Sequence, residues 1–270
     1  MSLENLEKEL ERLKSLRDQN HWDTTRNPVN FEKRRIDTPL GVRTVWIPKD
    51  DLHNKDLQSS RSVSMRDVET IEDLEAGYEV GMTLTHTDSL RAEEIDECVH
   101  TWNKFKDQIG LGEFKPSGMC EIGFRYPRLM EFYSDKYTIS TVGYDISTLA
   151  VEFGKSKNYN VHECDLNNLD TKPIELKDSN IVCMYHVLEH VKNPINTLKH
   201  LFDLMSSKTF FHIEVPIEGE NPQVEFGHLF GFHPDDLAKM CQAVGFTVFS
   251  VVQKNIAGAI QIERIGCIKK

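Results

Sequence analysis

Ile181-Val182-Cys183-Met184-Tyr185-His186-Val187-Leu188-Glu189-His190-Val191-Lys192-Asn193-Pro194 is the stretch on which the fold turns. Five apolar or aromatic residues in a row suit a strand buried on both faces, and the run stops abruptly in titratable groups before a proline. Runs of the same kind lie at 119–124, 139–144, 160–164 and 209–215, and helical patterns at 128–134, 148–157, 195–205 and 234–244 separate or follow them. Continuous hydrophobic strands alternating with helices predict a doubly wound α/β domain with a mostly parallel sheet. Two further runs, 246–252 and 259–268, are joined by Gln253-Lys254-Asn255-Ile256-Ala257-Gly258. That link is too short for a parallel crossover, so the seven-stranded sheet should finish in an antiparallel C-terminal hairpin.

In such sheets ligands bind beyond the carboxyl ends of the strands. The runs end in Glu121-Ile122-Gly123, in Tyr144-Asp145-Ile146, in Cys164-Asp165-Leu166 and in Tyr185-His186, with Glu189 and His190 close behind. A carboxylate at Asp145 offers two acceptors to the adjacent hydroxyls of a ribose. Asp165 suits an exocyclic amine and Leu166 a purine face. The alternative readings, less favoured, have Asp145 cap the helix that Ser147 and Thr148 open and Asp165 begin a turn.

These strand ends, taken in order, resemble a class I S-adenosylmethionine-dependent methyltransferase, of the broad group that includes ubiquinone-pathway and sugar O-methyltransferases. The segment 181–194, Phe211-His212-Ile213-Glu214-Val215-Pro216, His228-Leu229-Phe230-Gly231-Phe232-His233-Pro234 and Ala243-Val244-Gly245-Phe246 carry the likeness. The resemblance implies a Rossmann-like transferase with S-adenosylmethionine as cofactor. It places Glu121 and Gly123 near the methionine moiety, Asp145 on the ribose, Asp165 and Leu166 at the adenine, and His186 beside the sulfonium, with Ile146 also among the cofactor-binding residues. One departure stands out. The group's first loop reads Glu-x-Gly-x-Gly-x-Gly, whereas here Gly123 is followed by Phe124-Arg125-Tyr126-Pro127. Side chains there restrict close backbone approach and positive φ.

Transfer to a hydroxyl requires alignment and removal of a proton, for which histidine is suited near neutrality. His228, His186, His190 and His233 are the catalytic candidates, with His228 the preferred base. His-x-x-Glu-His at 186–190 is also an inverted zinc-peptidase signature, but that motif needs a helix, and here it follows a strand and is soon cut by Pro194. No resident metal is expected; the alternative gives a divalent ion ligands from Glu189 and His190. The expected acceptor is a small molecule, either a sugar-like or phenolic metabolite. A non-catalytic methyltransferase-like domain with an assembly role is the competing reading.

With 32 basic and 43 acidic residues among 270, the formal charge of −11 disfavours a nucleic-acid partner. No run is long and apolar enough to span a bilayer, and residues 1–19 are charged rather than signal-like. The six scattered cysteines read as buried free thiols of a reducing, cytoplasmic setting. Leu3, Leu6, Leu10, Leu13 and Leu16 form one stripe of a charged helix that either docks on its own domain or forms a homo-dimer seam. Residues 1–88 are expected to be an N-terminal extension, lidding the acceptor site, and 89–270 the methyltransferase-like domain. Between 21 and 87 loops are expected, with a strand at 43–47 and a helix around 66–76; a further helix follows the cap Asp88-Ser89.

Overall fold

The computed structural model describes residues 31–49, 115–168, 174–224, 227–256 and 260–269, with scattered positions among 4–14, 70–73 and 98–104. An N-terminal ribbon of β1 (Phe31–Thr38) and β2 (Gly41–Pro48) precedes the main domain. There β3 (Gly118–Ile122), α1 (Arg128–Tyr137), β4 (Ser140–Asp145), α2 (Thr148–Ser156), β5 (Val161–Glu163) and β6 (Ile181–Tyr185) follow in order. A 3-10 turn at Leu188–His190 leads into α3 (Pro194–Leu204), β7 (Phe210–Pro216), α4 (Asp236–Val244), β8 (Thr247–Ile256) and β9 (Ile260–Ile268). The seven-stranded sheet has the order β5-β4-β3-β6-β7-β9-β8, with only β9 antiparallel to its neighbours. The doubly wound sheet and its closing hairpin are thus as the hydrophobic runs predict. The hairpin strands run longer than expected, because Ile256 pairs with Ile260 and draws the connecting residues into the ladder.

Alternation along the buried strands divides the core between the two faces of the sheet. Cys120, Ile122, Val182, Met184, Phe211, Ile213 and Val215 join one cluster, which also takes in α3 and α4 residues. Met119, Ile181, Cys183, Tyr185 and Phe210 join the other, with residues of α1 and α2. Helix starts follow ordinary capping chemistry: Ser147 accepts from the Ala150 amide, and Asn193 from the Asn196 amide with Pro194 in the first turn. Helix α4 is started otherwise. The Glu263 carboxylate of β9 accepts the Asp235 and Ala238 amides at 2.5 and 3.0 Å, supplying from the sheet the anion that a helix N-terminus favours.

The expected strand at 43–47 is the centre of β2, but its partner β1 escaped the sequence pattern. Only Phe31 of its eight residues is buried. Its register pairs Thr38 with Gly41 across Pro39-Leu40, and Thr38 Oγ1 accepts the Leu40 amide while donating to the Gly41 carbonyl. The ribbon is tied to the domain by Trp46 N–H donating to Leu229 O at 2.8 Å and by Arg43 reaching Asp236 at 3.2 Å. Thr70 and Asp73 cap each other reciprocally where Glu72 and Asp73 are helical, in the stretch expected to form a helix around 66–76; the rest of it lies outside the described residues. Leu10 packs against the second cluster, which supports docking of the N-terminal helix; Leu3, Leu6, Leu13 and Leu16 lie outside the described residues. Residues 98–101 are helical, as expected after the Asp88-Ser89 cap, which is itself not described. All six cysteines are free and buried. Among the described residues no helix is long and apolar enough to cross a membrane.

Candidate functional site

The first loop takes its course from Gly123. Its φ of +74° suits glycine, and a Cβ there would stand 2.2 Å from Val187 Cγ2, so the loop crosses the segment after β6 only because that atom is absent. Arg125 occupies a position where the glycine-rich pattern relaxes the backbone, and it nevertheless adopts φ +47°. The turn is therefore retained with a side chain in it, at a cost of about 1 kcal/mol or more. The Arg125 guanidinium lies over the Tyr126 ring, 5.1 Å from its centroid. Glu121 is buried on β3.

Asp145 ends β4 almost fully buried. Its Oδ2 accepts the Arg125 amide at 2.9 Å and its Oδ1 the Ser147 amide at 2.8 Å. Burial pushes its pKa above the usual carboxylate value, and those amides and the Arg125 charge only partly offset this. Ser147, not Asp145, is the cap of α2. Each Asp145 oxygen has one further acceptor position, the number a ribose diol uses. Ile146, half-buried, links the two. Asp165 accepts the Asn167 amide at 2.9 Å, an Asx turn, and Leu166 beside it is buried.

A denser group of charges gathers at the ends of β6 and β7. His186, at φ +54°, sets Nε2 2.9 Å from Glu214 Oε1 and Nδ1 3.5 Å from Glu189 Oε1. Burial lowers the imidazole pKa, but the two carboxylates more than offset this and lift it to about 10. His186 is therefore an imidazolium near neutrality, a departure from its expected place among the proton acceptors. Register across β7 and β9 pairs Glu214 with Arg264, whose Nε and Nη2 both approach Glu214 Oε2 at 2.5 Å. Burial raises the Glu214 pKa, and His186 and Arg264 outweigh it to hold the carboxyl low. On the same face, Tyr185 Oη and His212 Nδ1 are 2.6 Å apart. Sequence reasoning missed Glu214, Arg264 and Glu218. The available signal was that Glu214 and Arg264 are charges within runs that read as buried strands, where charges need partners.

His190 and His228 come together with ring centroids 4.9 Å apart. The backbone arranges this: the Glu189 carbonyl accepts the Leu229 and Phe230 amides at 2.7 and 3.1 Å, and Val45 of β2 bridges to Phe230. His228 Nδ1 lies 2.7 Å from Glu218 Oε1, and His190 Nδ1 2.8 Å from the Gly227 carbonyl. His233 stands apart, half-exposed, with Nε2 3.2 Å from Glu220. Glu189 is fully buried, not solvated as a surface turn would leave it. The inverted zinc-peptidase arrangement is absent, since His186 precedes a 3-10 turn and binds Glu214.

A family model described as a methyltransferase domain matches residues 100–251. Among solved structures, a protein of Galdieria sulphuraria assigned as a sarcosine dimethylglycine methyltransferase is 10% identical, with 63% of this chain and 84% of that one covered and a TM-score of 0.50. A chain of the Haloferax volcanii complex between the Trm112 methyltransferase activator and a methyltransferase is 11% identical, covering 66% and 98%, with a TM-score of 0.49. A TehB-like S-adenosylmethionine-dependent methyltransferase from Corynebacterium glutamicum is 12% identical, covering 65% and 98%, with a TM-score of 0.45. No curated protein matches the chain.

Proposed function

Because this chain belongs to the methyltransferase-domain family and is an S-adenosylmethionine-dependent methyltransferase, we propose that it methylates an oxygen of a small cytoplasmic metabolite, sugar-like or phenolic in character. When bound, S-adenosylmethionine supplies a methyl group on a sulfonium, poised for in-line displacement. The strand-end residues fit that cofactor. Gly123 and the positive-φ turn at Arg125 bring backbone near the methionine end, with Glu121 behind them. Asp145 takes the ribose hydroxyls, Ile146 and Leu166 flank the base, and Asp165 receives its exocyclic amine. His186 acts as a fixed cation rather than a proton acceptor, holding Glu189 and Glu214 in place.

The observation that carries the acceptor assignment is the pair His190 and His228 beside buried Glu189, beyond the carboxyl ends of β6 and β7. A group of this kind can receive an acceptor hydroxyl and accommodate loss of its proton. Residues 89–270 form the catalytic unit in this reading, and 1–88 contribute its acceptor side, as the β2 contact to Leu229 and Phe230 suggests. Incubation of the full chain with labelled donor and fractionated metabolites tests it. Label in an ether methyl group is expected; label found only on nitrogen or carbon overturns the oxygen assignment.

A further inference from the structure

We propose that Glu189, His190 and His228 form a binding site for one divalent first-row transition ion. Their candidate ligand atoms all lie within 4.8 Å of one another. Glu189 is the anchor: its side chain has no solvent exposure and neither carboxylate oxygen accepts a hydrogen bond. His186 offsets part of the cost of that buried carboxylate from 3.5 Å away, but it leaves both oxygens without a hydrogen bond and so open to direct coordination by a cation. His190 Nε2 stands 3.9 Å from Oε1, beyond hydrogen-bond distance.

The histidines are oriented as ligands by their other nitrogens. A carbonyl only accepts, so His190 Nδ1 must donate its proton to Gly227 O, and the neutral ring then carries its lone pair on Nε2. A carboxylate likewise only accepts, so His228 Nδ1 donates to Glu218, and the tautomer this selects for the neutral ring has its lone pair on Nε2. An imidazole held at Nδ1 by a carboxylate or carbonyl is the arrangement that fixes tautomer and ring direction at metal centres. Neighbouring ligands about 2.1 Å from an ion sit roughly 3 to 3.4 Å apart. Small side-chain rotations therefore close the set. Two imidazoles and one carboxylate suit Zn²⁺, Mn²⁺ or Fe²⁺ rather than Ca²⁺, and three protein ligands leave positions for an oxygen ligand.

The identity of that oxygen ligand as the acceptor hydroxyl rests on the methyltransferase reading; the ion site itself does not. Here His228 serves as a ligand, and an ion-bound hydroxyl loses its proton to solvent more readily than a free one. The full-length protein, stripped with chelator, is titrated with Mn²⁺ followed by electron paramagnetic resonance, with Zn²⁺ content measured in parallel. One ion per chain is expected. Glu189→Gln and His228→Ala should each weaken binding by at least about 100-fold, and Glu218→Gln by about 10- to 100-fold through loss of ring orientation. S-adenosylhomocysteine affinity, measured on every variant, should change less than about threefold and reports that each is folded. Absence of stoichiometric Mn²⁺ or Zn²⁺ at millimolar concentration in the unsubstituted protein overturns the site. So does unchanged ion affinity in Glu189→Gln or His228→Ala. Ion binding without S-adenosylhomocysteine binding would support the site while removing the methyltransferase reading of its occupant.

Discussion

Replacing Asp145 by Ala separates its proposed ligand role from its structural one. Each carboxylate oxygen already holds one backbone amide, Arg125 on Oδ2 and Ser147 on Oδ1, which leaves one acceptor position on each for a ribose hydroxyl. Charge-assisted hydrogen bonds contribute about 1.5–3 kcal/mol apiece. Losing two costs about 3–6 kcal/mol, a weakening of S-adenosylhomocysteine by about 10²- to 10⁴-fold. The stability effect is smaller. Arg125 is exposed, so its amide can turn to water, whereas Ser147 is 2% exposed and its amide would be stranded, at about 1–3 kcal/mol. Against this, removing a carboxyl whose pKa is raised by burial recovers part of its desolvation cost. Isothermal titration with S-adenosylhomocysteine and a thermal melt should therefore show a large loss of affinity with a modest loss of stability. Asp145→Asn, which keeps the shape and one acceptor oxygen, should fall between. A folded Asp145→Ala protein that binds within about threefold of the unsubstituted one would refute the ribose assignment.

Arg264→Met leaves Glu214 buried beside a single partner, His186, and should cost about 3–5 kcal/mol in urea unfolding; a cost under about 1 kcal/mol would mean the pair is not isolated from water. Glu214 titrates below its ordinary value in the folded state, so its contribution is present above the usual glutamate pKa and lost as pH falls through the lowered one. The stability gap between unsubstituted protein and Glu214→Gln should accordingly shrink on acidification from pH 7, and a gap that is constant or widens contradicts the sign. Gly231→Ala would put a Cβ 1.9 Å from the Gly219 carbonyl, next to Glu218; about 1–3 kcal/mol of stability should be lost, and unchanged melting would show that the two segments part freely. Arg125→Gly should gain about 0.5–1 kcal/mol by relieving the φ of +47°, provided the lost stacking on Tyr126 is small; a less stable variant would reverse that weighing.

The architecture was legible because its information is local. Ile181–Tyr185 and Phe210–Pro216 are buried at every position, so burial on both faces appears directly as unbroken apolar sequence. The positions of the residues proposed for the cofactor were legible for the same reason, since a polar residue that ends such a run is placed at the carboxyl edge by topology alone. Strand β1 shows the opposite case. Glu32, Lys33, Arg34 and Arg35 fill a ribbon whose outer residues meet solvent, and no period-two apolar pattern survives in it. Its pairing is carried by backbone hydrogen bonds and by a two-residue turn, neither of which leaves a hydropathy signal.

The charged group at the ends of β6 and β7 was half legible, and the missing half decides its chemistry. His186, Glu189 and His190 are neighbours in sequence and announce themselves together. Arg264, Glu218 and His228 reach them through the antiparallel register of β9 and through the return of 217–232 past β7, over separations that no spacing rule encodes. These distant residues change what the nearby ones do. Arg264 shares Glu214 with His186, and the carboxylates on either side of His186 make it a cation instead of a base. Glu218 and the Gly227 carbonyl decide which nitrogen of His228 and His190 holds a proton, and so turn two histidines toward a carboxylate that accepts no hydrogen bond. A histidine-rich motif read alone suggests proton transfer; the same residues in their tertiary setting suggest cation binding, because the direction of each lone pair is set by a partner that the motif does not contain.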